Sequence, residues 1–172
     1  MLAIVDYDAG NIFSVKNALD YLGIPAALTA DPAALFAADG IILPGVGAFP
    51  DAMASLEKNG MAEALVSAAR TGTPLLGICL GMQLLFDTGY EVRPCAGLGL
   101  IPGSVERIPD CGLKIPHMGW NALRMGVSCP LCAELKTGDY AYFVHSYAAR
   151  TEERCVAAFT DYGVPLPAVV CN

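Results

Sequence analysis

Apolar bursts alternate with helical spacing through the first half of the chain. LAIVDY, residues 2–7, reads as a strand buried on both faces; Ile12, Val15, Leu19 and Leu22 then recur at the interval of a helix until Gly23-Ile24-Pro25 stops them. GIILPG, 40–45, is a second such strand and PLLGI, 74–78, a third. Between these two, Met53, Leu56, Met61, Leu65 and Ala69 suit one or two amphipathic helices, and beyond PLLGI a further helix would turn Leu80, Leu84 and Leu85 inward. Strand and helix in alternation predict crossover units, hence an α/β fold of three layers: a mainly parallel sheet with helices on both faces. After Phe86 the pattern shortens. SVERI, WNALRM, AYFVHSYAA, CVAAFTDY and PAVVC follow one another with glycine, proline and aspartate between them, as in an antiparallel extension of the sheet. No repeat or linker divides the chain, so residues 1–172 are expected to form a single domain.

Composition narrows the function. A hydrophobic share of 55% against 16% charged residues predicts a packed globular protein. With a net charge of -7 and no block of lysine or arginine, nucleic acid and anionic membranes are poor partners. The longest uncharged stretch, 71–86, is interrupted by glycines, Pro74 and Gln83, so no membrane span is expected, and the N-terminal residues do not read as a secretory signal. Seven cysteines, an odd number set in apolar surroundings, suggest reduced thiols and a cytoplasmic address. Cys129 and Cys132 form a C-x-x-C. In the sequence no second pair or suitably spaced histidine accompanies it, so two small apolar residues around Pro130 are expected rather than a metal or redox site.

One pattern carries chemistry. Gly77-Ile78-Cys79-Leu80-Gly81 places a thiol where a buried strand must end and a helix begin, the form of a nucleophile elbow. There the cysteine meets the partial positive charge of a helix N-terminus, and the amide of Leu80 points to where an oxyanion would form. PGVGAF, 44–49, ends the preceding strand on the same edge of the sheet, and its glycines would let Val46 offer a second N–H.

PLLGICLGMQLLF, 74–86, resembles the nucleophile segment of class I, triad-type glutamine amidotransferases, whose fold is flavodoxin-like and whose cysteine releases ammonia from glutamine. DYDAGN at 6–11, PGVGAF, HMGWN at 117–121 and YFVHSY at 142–147 are similar, in order and spacing, to segments of the glutaminase subunits of imidazole glycerol phosphate synthases, in histidine biosynthesis. The resemblance implies Cys79 as nucleophile, with Val46 and Leu80 as backbone donors of the oxyanion hole. It implies that Gly47 and Gln83 line the glutamine pocket, and that Ser146 and Tyr147 hold the polar end of the substrate. Gln83 also reads as an ordinary helix residue bonded to nearby backbone. No cofactor or metal is implied. The implied partner is the cyclase subunit, in a heterodimer, with Tyr142, Trp120 and His117 as candidates for the docking face, each of which reads equally as a core or loop residue.

The chain departs from the family at one point. The histidine-proline-glutamate motif that completes the triad is absent; the two histidines, His117 and His145, are not followed by Pro-Glu. The expectation is that a C-terminal segment is lacking and that the 172 residues turn over glutamine poorly. A glutaminase-like binding subunit, or the glutaminase domain of another amidotransferase such as CTP synthase, are the alternatives.

Overall fold

The computed structural model describes residues 1–8 and 10–172; Ala9, inside DYDAGN, lies outside the described residues. Two units, Met1–Leu100 and Ile101–Asn172, are each described in turn.

The first unit runs β1 (Leu2–Val5), α1 (Ile12–Tyr21), β2 (Ala26–Thr29), β3 (Gly40–Gly45), α2 (Phe49–Lys58), α3 (Met61–Arg70), β4 (Leu75–Cys79), α4 (Leu80–Gln83), β5 (Phe86–Gly89) and β6 (Cys95–Ala96). Four strands form a wholly parallel sheet in the order β2-β1-β3-β4. On one face Leu2, Ile4, Ile42 and Leu76 pack with Ile12, Val15 and Leu19 of α1. All six residues of β3 are buried, so the sheet is covered on its other face too; α2 and α3 contribute the buried Phe49, Met53, Leu56, Met61 and Leu65. The predicted α/β class and its three principal strands are therefore observed. β2 is an edge strand with Leu28 38% exposed, and its weak burial signal explains why the apolar pattern did not single it out.

Two helix predictions are refined. The segment between β3 and β4 forms two helices, broken where Gly60 takes a φ of 68°. The helix after Cys79 is a single turn. Its continuation would need the carbonyls of Leu84 and Leu85 for later helical N–H groups, but they accept instead from Leu98 and Leu100, each at 2.8 Å. Leu80, Leu84 and Leu85 are buried as expected. β5 and β6 then pair antiparallel.

The second unit is antiparallel throughout: β7 (Ile101–Arg107), β8 (His117–Ala122), β9 (Arg124–Met125), β10 (Tyr140–His145), β11 (Tyr147–Arg150), β12 (Val156–Tyr162) and β13 (Val164–Val170). β7 pairs with β11, β8 with β10, and β12 lies between β9 and β13. All five segments predicted as short strands overlap these elements, but two of them divide: WNALRM spans β8 and β9 with Leu123 between, and AYFVHSYAA spans β10 and β11 with Ser146 between.

Backbones approach closely where β3 passes the start of α4. A methyl group at Gly81 would overlap the Leu43 carbonyl oxygen, and one at Gly77 would stand 2.5 Å from the Met82 Cα. Gly81→Ala is expected to destabilise the chain by about 3 kcal/mol, as overpacking against rigid backbone does. Gly72→Ala, where φ is 98° but the space is open, should cost about 1 kcal/mol. Urea denaturation of both variants measures the difference.

Candidate active site

β4 ends at Cys79, whose φ of 56° and ψ of -118° lie in a region that side chains rarely occupy. The close packing just described holds this conformation: the chain must reverse within one residue because Gly77 and Gly81 press against the first turn of α4 and against β3. The Cys79 side chain is consequently exposed, while Leu80 beside it is buried. The thiol stands at the N-cap of α4 and no side chain caps that turn.

β3 delivers its following loop to the same place. Pro44 is in register with Ile78 and Gly45 with Cys79, so the chain leaves β3 beside the elbow. A methyl at Gly45 would lie 2.6 Å from the Gly81 nitrogen and 3.0 Å from the Tyr7 hydroxyl. Val46 is then 53% exposed, and Gly47 has a φ of 97° with nothing within contact of its vacant side-chain position. Thus Cys79, Leu80, Val46 and Gly47 share one edge of the sheet. Gln83, half-buried, closes α4 four residues after the thiol.

Two residues of this region escaped the sequence reading. Tyr7 is fully buried, and its hydroxyl donates to the Pro44 carbonyl at 2.9 Å. Burial, and then the negative charge of the Cys79 thiolate, push its phenol up to about 12, so it remains a donor when the thiol ionises. Glu91 accepts from the Phe49 N–H at 2.8 Å, capping α2, whose own N-cap Ala48 has no side-chain bond to offer. A tyrosine inside DYDAGN and an acid following a turn were the available signals. Neither reveals partners 37 and 42 residues away.

Ser146 and Tyr147 belong to the second unit, at the junction of β10 and β11. The Ser146 carbonyl accepts from the Ile108 N–H, and the Tyr147 carbonyl from His145 Nδ1, each at 2.9 Å. The other nitrogen of His145, Nε2, faces His117 Nδ1 at 2.9 Å, and His117 Nε2 meets Asn121 Oδ1 at 3.0 Å. Both imidazoles are thus engaged on both sides within this unit. His117 is fully buried between the rings of Phe143 and Tyr162, at centroid distances of 4.8 and 4.0 Å. Its expected place on a docking face is corrected: strand alternation turns it inward. Burial chiefly, and the neighbouring His117 in addition, hold His145 below the ordinary histidine range, against the opposing pull of the Tyr147 carbonyl.

The outward face of the same two strands is apolar. Tyr140, Tyr142 and Val144 on β10 stand opposite Ala122, Trp120 and Met118 on β8, and the five large side chains are each more than half exposed. Trp120 and Tyr142 meet edge to face at 5.6 Å.

Cys129 and Cys132 of the C-x-x-C are buried in an apolar cluster, as expected of two small apolar residues. Cys171 packs against Cys129 and Cys132, and its N–H donates to the Cys155 carbonyl at 2.9 Å. Burial, a thiol hydrogen bond to Cys129 and the nearby Cys132 and Cys155 push Cys171 up to about 11; burial and Cys129 likewise push Cys132 up. Cys129, Cys132 and Cys171 fill an apolar cluster with Met125, Ala157 and Val169. Among the described residues no three histidine, cysteine or acidic side chains are gathered so as to hold a metal ion, and no helix is long and apolar enough to cross a membrane.

An exposed thiol on a strained strand-to-helix turn, facing a glycine loop at the carboxyl edge of a parallel sheet, is an architecture for nucleophilic attack on a carbonyl. The class-I glutamine amidotransferase family matches residues 3–168, and the chain belongs to it. Solved structures agree on the fold. A glutamine amidotransferase superposes with a TM-score of 0.70 at 19% identity, covering 95% of this chain and 86% of its own. A putative GMP synthase protein from Thermoplasma acidophilum gives 0.63 at 17%, covering 92% and 72%. Sequence relatives define the branch. The imidazole glycerol phosphate synthase subunit HisH of Streptococcus sanguinis is 52% identical over 171 residues, 99% of this chain and 82% of the relative. HisH of Desulfitobacterium hafniense is 53% identical over 99% and 81%, and that of Bacillus cereus 47% over 100% and 82%. Within the class, the family is that of the HisH glutaminase subunits.

Two outcomes follow from this geometry. Cys79→Gly, which relieves the positive φ, should exceed Cys79→Ala in stability by about 1 kcal/mol in urea denaturation. His145 is neutral in the folded chain at a pH where the unfolded chain already protonates it, so stability should fall as pH drops below about 6.5. His145→Gln should flatten that slope in the same measurement.

Proposed function

We propose that the chain, as one domain spanning residues 1–172, is the glutaminase subunit of a cytoplasmic imidazole glycerol phosphate synthase, supplying ammonia to a cyclase partner in a heterodimer. The Cys79 thiolate attacks the side-chain carbonyl of glutamine, and the N–H groups of Val46 and Leu80 receive the negative charge that develops on oxygen. Collapse of that adduct expels ammonia and leaves a thioester, which water converts to glutamate while regenerating the thiol. Gly47 and Gln83 line the substrate pocket. The exposed Cys79 at its strained turn beside the Val46–Gly47 loop is the observation that carries this reading, together with the identity to HisH.

The cyclase docks on the outward face of β8 and β10. A contiguous surface of Trp120, Tyr142, Tyr140, Met118 and Val144 has the aromatic content of an interface centre. Ammonia also needs a proton when it leaves, and a triad takes that proton from a histidine held by an acid. His117 and His145 are committed to each other and to Asn121 and Tyr147, so neither serves Cys79. The 172 residues therefore turn over glutamine slowly, and the same observation favours a second reading in which they act as a binding subunit for the cyclase.

Glutaminase assays with a histidine-pathway cyclase decide between these. The expected result is complex formation with little turnover, and recovery of Cys79-dependent turnover when a relative's His-Pro-Glu segment is joined to the chain. Continued silence of the extended chain favours the binding subunit. Robust turnover by the 172 residues, lost in Cys79→Ala, would refute the proposed inactivity. Trp120→Ala should weaken cyclase binding by about tenfold or more in a titration, as loss of a central aromatic does.

A further inference from the structure

The loop that carries Val46 is tied at both ends and open in the middle. At its start, the Pro44 carbonyl accepts from the buried Tyr7 hydroxyl; at its end, the Phe49 N–H donates to Glu91. Between them Val46 is more than half exposed, and Gly47 sits at positive φ in open space. The Pro44–Gly45 peptide immediately precedes the Gly45–Val46 peptide, whose N–H is the proposed oxyanion donor. Its carbonyl is fixed from below by a phenol that also touches the space beside Gly45, 3.0 Å from where a side chain would begin. No side chain at Gly45 could share that space with Tyr7, Leu80 and Gly81, so Tyr7 and the elbow hold the same peptide from two sides.

We infer that Tyr7 is a positioning residue: by holding the Pro44 carbonyl, its hydroxyl fixes the hinge about which the Gly45–Val46 peptide presents its N–H to the oxygen of a substrate attacked by Cys79. The inference rests on the glutaminase reading of Cys79 and Val46. A rigid anchor matters because a donor contributes to a transition state only if it is aimed before the charge develops. With the hydroxyl removed, the Pro44 carbonyl loses this donor and the hinge is held from the side of the elbow alone. Iodoacetamide, which alkylates by displacement at a saturated carbon and develops no oxyanion at the attacked centre, is indifferent to the hinge. A chloroketone is not: the thiolate adds to its carbonyl, the donors hold the resulting alkoxide, and the sulfur then displaces chloride from the adjacent carbon as the carbonyl re-forms.

The test compares two reagents on the full 172-residue chain, unsubstituted and Tyr7→Phe. One is L-2-amino-5-oxo-6-chlorohexanoate, a chloroketone whose carbonyl stands where glutamine has its amide carbonyl, and the other is iodoacetamide; mass spectrometry of the Cys79 peptide gives the rates. For the unsubstituted chain, chloroketone labelling should saturate with concentration. Tyr7→Phe should lower the limiting rate by about tenfold, roughly the loss of one imperfectly aimed donor. The half-saturating concentration and the iodoacetamide rate should stay within about twofold, since neither uses the oxyanion donor. An unchanged limiting rate, or an equal loss with both reagents, overturns the inference and leaves the glutaminase reading standing. Absence of saturation in the unsubstituted chain overturns that reading and the inference with it. Should Tyr7→Phe not fold, 3-fluorotyrosine at position 7 keeps volume and hydroxyl but has a more acidic phenol. The chloroketone rate, taken relative to iodoacetamide, should then decline with rising pH earlier than in the unsubstituted chain, and coincident profiles overturn the inference.

Discussion

The contact between Gly81 and the Leu43 carbonyl governs the first unit. No side chain fits between those backbones, so the first turn of α4 lies directly on β3 and the chain reaches it only by reversing within one residue. Gly77 permits the same reversal from the other side. The residue caught at the bend, Cys79, takes a positive φ and is pushed out of the core that its sequence neighbours help to form. The parallel sheet supplies the stiffness: β3 is buried along its whole length, so the strain at Cys79 relaxes only by disturbing a packed layer. A local steric conflict thus becomes an exposed thiol.

Around that thiol, polar groups are placed by long-range hydrogen bonds. Tyr7 and Glu91 hold opposite ends of the Val46–Gly47 loop, and each reaches it from a distant part of the chain. In the second unit, strand alternation separates two functions on one ladder. Inward residues of β8 and β10 form the buried His117–His145 pair with its aromatic neighbours, whereas outward residues form an apolar surface. A shift of register by one residue would exchange these faces, so the histidine pair and the exposed aromatic surface depend on the same pairing.

Much of this was legible in the sequence, for physical reasons that differ by element. β1 and β3 are continuous apolar runs because both of their faces are covered, and such runs are easy to read; β4 has the same apolar pattern without the burial, since it is an edge strand with Ile78 38% exposed. The elbow was legible because only glycine at 77 and 81 tolerates the approach, so the steric demand is written in the residues themselves. The single turn of α4 was not, since its end is set by Leu98 and Leu100 taking the carbonyls a longer helix would use. Apolar spacing favours continuation there and carries no trace of a competing donor. Likewise His117 looked available for a surface because its inward turn depends on its register with His145, 28 positions on. Cys171 joined Cys129 and Cys132 through packing that spacing along the chain does not express.

The central claim is that a steric bend presents the Cys79 sulfur to a site made for glutamine. Peptide-resolved alkylation of all seven cysteines, with and without glutamine, tests it most directly. The account predicts that Cys79 reacts readily and that glutamine slows its labelling, while the exposed Cys111 is unaffected by glutamine. Protection of Cys79 in the folded chain without ligand, or labelling indifferent to glutamine, would contradict it.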